Sequence, residues 1–276
     1  MSVFNNFSTN FRYATIVEKI IYINVALFIV SLFAGNFVVQ WFSLKGDFDY
    51  FITQFWTIIT YGFFHANFPH VLFNLIFLFY IGNLFLDFFS KKQFINYYFW
   101  GIIAGGIAYL ATQTGGYLVG ASAGIMAVLV GLATKIPYYE VRLALIGGVK
   151  MWIIALVYIG ISIIGLEGTN AGGNFAHLGG ALIGFVYTKQ LERGNDIGKW
   201  IESIFNFFAN LFKRNKAPKT PFQKVYKNKR SSQKTTKEST PDQQQKIDAI
   251  LDKISKSGYA SLSKEEKDFL FKQGKQ

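Results

Sequence analysis

Apolar residues run along this chain in blocks separated by short polar or charged breaks. Six blocks lie near residues 16–34, 67–86, 94–112, 118–134, 148–165 and 173–190. A bilayer crossing needs about 20 apolar residues per helix. Each block meets or approaches that length. The fourth and fifth are short and need their Gly-rich or mildly polar flanks to complete a crossing. The pattern predicts an all-α, polytopic membrane protein with six transmembrane helices.

The breaks carry their own signals. Between the first two blocks, GNFVVQWFSLKGDFDYFITQFW (35–56) is long, aromatic and lightly charged. It reads either as a segment lying in the membrane interface, with rings at headgroup level, or as an ordinary external loop. After the sixth block, KWIESIFNFFANLFKR puts Trp200, Ile201, Ile204, Phe205, Phe208, Leu211 and Phe212 on one helical face. That pattern predicts a surface helix over 193–213. Residues 214–241 are rich in Lys, Ser, Thr, Gln and Pro and read as a basic disordered linker. Residues 242–276 predict a small cytoplasmic helix pair that turns at Ser257-Gly258. Ser263 and Glu266 open its second helix as a capping box. The membrane domain is then 1–192.

Composition agrees with this division. Hydrophobic residues make up 51% of the 276, with 30 Phe and 15 Tyr, which suits lipid-facing and interfacial positions. Cysteine is absent, so disulfides and Cys-based metal or redox sites are excluded. The opening MSVFNNFSTNFRYATIVEKI lacks the apolar core and small-residue cleavage site of a signal peptide. From residue 191 onward, 19 Lys and Arg face 10 acids; before it, 9 face 6. The basic tail fits a cytoplasmic segment near anionic lipid, and no nucleic-acid partner is expected. Arg12, Lys19, Lys91, Lys92, Lys135, Arg142 and Lys150 mark alternate breaks, whereas the remaining breaks hold only Lys45. The positive-inside rule therefore predicts that both termini are cytoplasmic.

Candidate chemistry lies inside the blocks. The only histidines are His65, His70 and His177. Ionisable groups in membrane helices are costly, so each is a functional candidate. With the predicted orientation, the second, fourth and sixth helices all start at the outer side. His70 and Asn74, Ser122, and His177 each fall a few residues into those helices, and so share one depth. A serine hydroxyl is a poor nucleophile until an imidazole takes its proton. Ser122 and His177 form that pair. No Asp or Glu lies within the blocks except Glu18 at the edge of the first, so a Ser-His dyad is the most the residues support. His70 and Asn74, four residues apart on one helical face, can donate hydrogen bonds to an oxyanion. The Ser122 backbone N–H can add a third. Gly120 and Gly124 flank the serine, and Ala176, Gly180 and Gly184 form a small-residue stripe for close helix contact.

Other readings fare worse. GASAG (120–124) matches the GxSxG elbow of soluble hydrolases, but that elbow needs a strand and a parallel sheet. HExxH is absent, and so is a mid-membrane Asp pair. His65 and His70, five apart with Pro69 between them, are poorly spaced as joint metal ligands.

HANFPHVLFN (65–74), GASAG (120–124) and FAHLGGALIG (175–184) together resemble the signatures of the rhomboid family of intramembrane serine proteases. The resemblance covers roughly 15–190. It implies a six-helix bundle in which Ser122 attacks the scissile carbonyl and His177 acts as base, then acid. His70 and Asn74 would stabilise the oxyanion, with His65, Gly120, Gly124, Gly180 and Gly184 in support. It further implies that the fifth helix and its loop gate the site, and that neither cofactor nor metal takes part. The partners would be single-pass or few-pass transmembrane substrates and membrane lipid, in a bacterial cytoplasmic membrane. Three positions depart from the family pattern: Ala123 where glycine is usual, Met126 where a tyrosine often packs on the histidine, and Thr57 after Trp56 where arginine is frequent. The alternatives are a non-catalytic relative that binds transmembrane helices, and a transporter. The transporter lacks support from any internal repeat or midplane polar cluster.

Overall fold

The structure, a computed structural model, describes residues 11–113, 115–143, 147–199, 201, 203 and 241–273. The chain divides into two compact units, Met1–Lys216 and Ala217–Gln276.

In the first unit, helix α1 spans Ile16–Phe42 and opens on a capping box between Thr15 and Glu18. The expected break after residue 34 is displaced. Helix α1 leaves helical geometry only at Ala34 (φ −125°, ψ 30°), beside Gly35, and then resumes to Phe42. A glycine at the bend explains a kink in place of an end. Strand β1 (Leu44–Lys45), helix α2 (Phe48–Thr53, capped by Asp47) and helix α3 (Thr57–Thr60) follow. The Thr57 hydroxyl donates to the Gln54 carbonyl at 2.6 Å, and the Trp56 indole N–H donates to the Trp41 carbonyl at 2.8 Å. These bonds hold the segment in which the expected Trp-Arg pairing is missing.

Helix α4 is Phe68–Phe88. Its N-cap Asn67 accepts from the His70 N–H, and a proline stands in the first turn. Helix α5 (Lys91–Thr112) starts on a Ser90–Gln93 capping box and stops at left-handed Gln113. Strand β2 (Tyr117–Leu118) pairs antiparallel with β1, Leu44 opposite Leu118. Helix α6 is Ser122–Lys135. A hairpin of β3 (Glu140–Leu143) and β4 (Gly147–Lys150) then leads to α7 (Met151–Ile164), and α8 spans Ala171–Glu192. The unit is mostly helical. The two small strand pairs add to the all-α expectation; strands this short carry no readable period-two pattern.

Helices α1, α4 and α5 are long and apolar enough to cross a membrane; α6 and α7 are shorter apolar helices. At the centre stands α6, buried without interruption from Ala123 to Ala133. A helix that is apolar all round belongs inside a bundle. Its neighbours reach it through glycine. A Cβ on Gly180 would strike the Ala123 carbonyl, and one on Gly184 the Ala127 carbonyl. Gly101 of α5 faces Ala127, and Gly105 faces the Ala123 methyl. Small residues let backbones touch, and dispersion then replaces the hydrophobic drive that lipid cannot supply. At the far end of α8, the Tyr187 hydroxyl accepts from Asn96 (3.0 Å) and donates to Asp196 (2.6 Å), while Tyr97 and Thr188 share a hydroxyl bond of 2.7 Å. That polar knot ties α5 to α8.

The second unit contains α9 (Pro241–Ser257) and α10 (Lys264–Gln273), joined through Gly258 at φ 75°. Ser263 and Glu266 exchange both capping-box bonds, and Lys253 donates to both Glu266 oxygens at 2.9 and 3.0 Å. That lysine holds the Glu266 carboxyl below the usual glutamate range. The first ten residues, most of the expected surface helix over 193–213, and the expected linker up to residue 240 lie outside the described residues.

Candidate active site

Ser122 is placed by backbone on both sides. The expected fourth helix begins at 118, but the segment before Ser122 is extended because β2 is held to β1 and the Gly120 N–H donates to the Tyr61 carbonyl at 3.0 Å. The helix therefore starts at Ser122 itself. Gly120 has φ +130°, open in practice only to glycine, and a Cβ there would lie 2.8 Å from Cε1 and Nε2 of His70. Its bare Cα is what lets the His70 imidazole approach the serine's loop. Gly124, two residues on, packs against Tyr98 in the same way.

The Ser122 Oγ lies 2.7 Å from His177 Nε2. His177 stands on α8, brought close by Gly180 one turn below it. Ser122, His177, His70 and Asn74 line one cavity of about 640 Å³. Its other walls include Phe73, Phe77, Val119, Tyr158 and Asn170. All four polar residues sit toward the N-terminal ends of α4, α6 and α8.

The hydrogen-bond pattern assigns protons. His70 Nδ1 accepts a long bond (3.5 Å) from the Ala66 N–H, which leaves Nε2 as the protonated nitrogen and a free donor. One Asn74 amide proton goes to the His70 carbonyl at 2.8 Å. A side-chain amide has two, so one remains to donate. The first N–H groups of α6 have no acceptor within their own helix, and the Ser122 N–H is among them. Three donors thus border the cavity beside a serine hydroxyl.

His65 does not line this cavity. It is buried behind His70, with ring centroids 5.1 Å apart and edge to face. Among the described residues neither of its ring nitrogens has a hydrogen-bond partner.

Two residues near His177 escaped the sequence reading. The Ser162 Oγ lies 3.2 Å from His177 Nδ1, and the Tyr158 ring meets His177 edge-on at 5.9 Å. Both belong to α7. Met126, at the position where a family tyrosine often packs, is fully buried, and the aromatic partner comes from another helix. The only sequence signal was a Tyr and a Ser one turn apart on an otherwise apolar helix. The Ala123 methyl is accommodated by Gly105, which has no side chain to oppose it.

Comparison with known proteins gives the architecture a lineage. Residues 52–193 match the model of the Rhomboid domain. The chain belongs to the rhomboid family. It is an integral membrane protein by that membership and by its apolar helices. This rhomboid is also similar to Rhomboid-like protease 3 of Toxoplasma gondii, 26% identical over 156 residues, or 55% of this chain and 58% of that one. The chain thus matches less than two thirds of that relative's length. Residues 232–273, in the second unit of the rhomboid, match a family of unknown function (DUF6576).

Proposed function

We propose that this rhomboid is an intramembrane serine endopeptidase that cleaves transmembrane segments of membrane proteins near their outer ends. The observation that carries the reading is the 2.7 Å contact between Ser122 Oγ and His177 Nε2 in a cavity that also holds His70 and Asn74. In this scheme His177 Nε2 takes the hydroxyl proton as Ser122 Oγ bonds to the scissile carbonyl carbon. The carbonyl oxygen becomes an oxyanion and accepts from His70 Nε2–H, the second Asn74 N–H and the Ser122 backbone N–H. The tetrahedral adduct collapses, the C–N bond breaks, and His177 returns its proton to the departing amine. Water, deprotonated by His177, then cleaves the acyl ester and restores the hydroxyl. Protein groups suffice for every proton transfer in the scheme.

The rest of the proposal concerns placement. Residues 1–192 form the protease domain, with six crossings built on α1, α4, α5, α6, α7 and α8. Both termini face the cytoplasm, as the distribution of Lys and Arg supports, and the minimal six-helix form points to a bacterial membrane. The helix pair within 241–273 is accessory to that domain. Removal of 214–276 is expected to leave cleavage of a model substrate intact; loss of activity in a folded truncation would make the tail regulatory.

The test is cleavage of a tagged transmembrane substrate by purified, detergent-solubilised protein, wild type beside Ser122→Ala and His177→Ala. Each substitution is expected to reduce cleavage by about 10⁴-fold or more. Failure of the folded wild type to cut any of several substrates, or to react with a fluorophosphonate, would replace the enzyme by a helix-binding relative.

A further inference from the structure

A Ser-His pair without a carboxylate raises a question of orientation. An imidazole has two nitrogens, and only one tautomer presents a lone pair to the serine. In triads a carboxylate at Nδ1 selects that tautomer. The surroundings of His177 contain another group able to do so.

The Ser162 hydroxyl has two close partners: the Tyr158 backbone carbonyl at 3.0 Å and His177 Nδ1 at 3.2 Å. A hydroxyl has one proton. A carbonyl can only accept, whereas Nδ1 can donate, so both contacts are bonds only when the Ser162 proton goes to Tyr158. In that arrangement the oxygen offers lone pairs to His177, and Nδ1 is the nitrogen that carries hydrogen. Nε2 is left unprotonated, facing Ser122 Oγ at 2.7 Å. Ser162 is 1% exposed, so water does not compete for these bonds. The Tyr158 ring, one turn earlier on the same face of α7, closes against the imidazole edge-on and limits its rotation.

We infer that Ser162 is a positioning residue that takes the place of a triad carboxylate, fixing His177 in the Nδ1–H tautomer through a proton spent inside its own helix. The inference rests on the protease reading above and goes beyond its dyad. It also makes α7 a condition of reactivity: seated, it sets the tautomer and holds the ring; displaced, it withdraws both supports together.

The experiment uses full-length protein with ¹⁵N-labelled histidine in detergent, with the His177 signals assigned by comparison with His177→Ala. Wild type is expected to show His177 as the Nδ1–H tautomer. Ser162→Ala is expected to give a mixed tautomer population and to lower kcat for the tagged substrate roughly ten- to a hundredfold, with KM unchanged. That range is the worth of a hydrogen bond to an imidazolium. Ser162→Thr, which keeps the hydroxyl, is expected to retain most of kcat. A wild-type Nε2–H tautomer overturns the inference without recourse to any variant. Wild-type kcat in Ser162→Ala, beside an inert Ser122→Ala, overturns it and leaves the protease reading standing. Full cleavage by Ser122→Ala strikes the protease reading instead, and the tautomer still decides the role of Ser162.

Discussion

Helices α6 and α7 are both 14 residues long and both apolar, yet they are built on opposite terms. In α6, every residue from 123 to 133 is buried, and glycines of α5 and α8 press against its backbone. In α7, only Met151, Ala155 and Ser162 are buried, while Leu156, Val157, Ile161 and Ile164 are exposed. The first carries Ser122; the second carries the groups that hold His177. A nucleophile must be met at a fixed point, and a helix locked on all sides supplies one. The orienting groups sit on a helix with far less packing to lose, so they can move with it. Locked parts and movable parts of the site are thus assigned to different helices.

The difference can be attacked at its glycines. Gly180→Ala drives a methyl into the Ala123 carbonyl. It is expected to lower stability by about 1–3 kcal/mol through overpacking, read as a fall in the thermal midpoint in detergent. Cleavage should fall with it, because Ala123 adjoins Ser122. A neutral result would mean that α6 is not locked. Next in size is a pair of changes at His177. Tyr158→Leu removes the ring but keeps the carbonyl to which Ser162 donates. It is expected to lower kcat roughly two- to tenfold, the worth of an aromatic pair. Met126→Leu, at the family's usual aromatic position, conserves volume and should leave kcat near wild type. If the two effects were reversed, the packing against His177 would belong to Met126 of α6 instead. The smallest effect is expected at Gly160 of α7, where a Cβ meets nothing within 4 Å. Gly160→Ala should be neutral or stabilise by up to ~1 kcal/mol through helix propensity, in direct contrast to Gly180→Ala.

The same contrast explains what could be read from the residues alone. Ser122, His70, Asn74 and His177 are legible because a polar group in an apolar helix is costly and stands out. Ser162 and Tyr158 are equally polar but do not stand out. A serine in such a helix routinely bonds the carbonyl four residues back, and a tyrosine is ordinary at a membrane surface. Their significance depends on which face of α7 meets α8, which is a tertiary fact. Helix ends are hard to read for a related reason. The apolar run before Ser122 reads as helix from 118, but pairing of Leu118 with Leu44 holds it extended. The run after Ala34 reads as an interfacial segment or an external loop, but it carries no breaker beyond Gly35 and continues as helix to Phe42.

One small feature bears on how such a site changes over generations. Gly105 and Ala123 face each other across α5 and α6 with room for a single methyl between them. The family's usual glycine at 123 would leave that room open, but an alanine at 105 would still meet the Ala176 carbonyl at 2.8 Å and the Tyr61 hydroxyl at 3.0 Å. The constraint between the two positions is therefore one-sided. A lineage can thus exchange glycine and alanine at 123 in a single step, whereas 105 is held at glycine by the backbone of α8 and by Tyr61 whatever stands at 123.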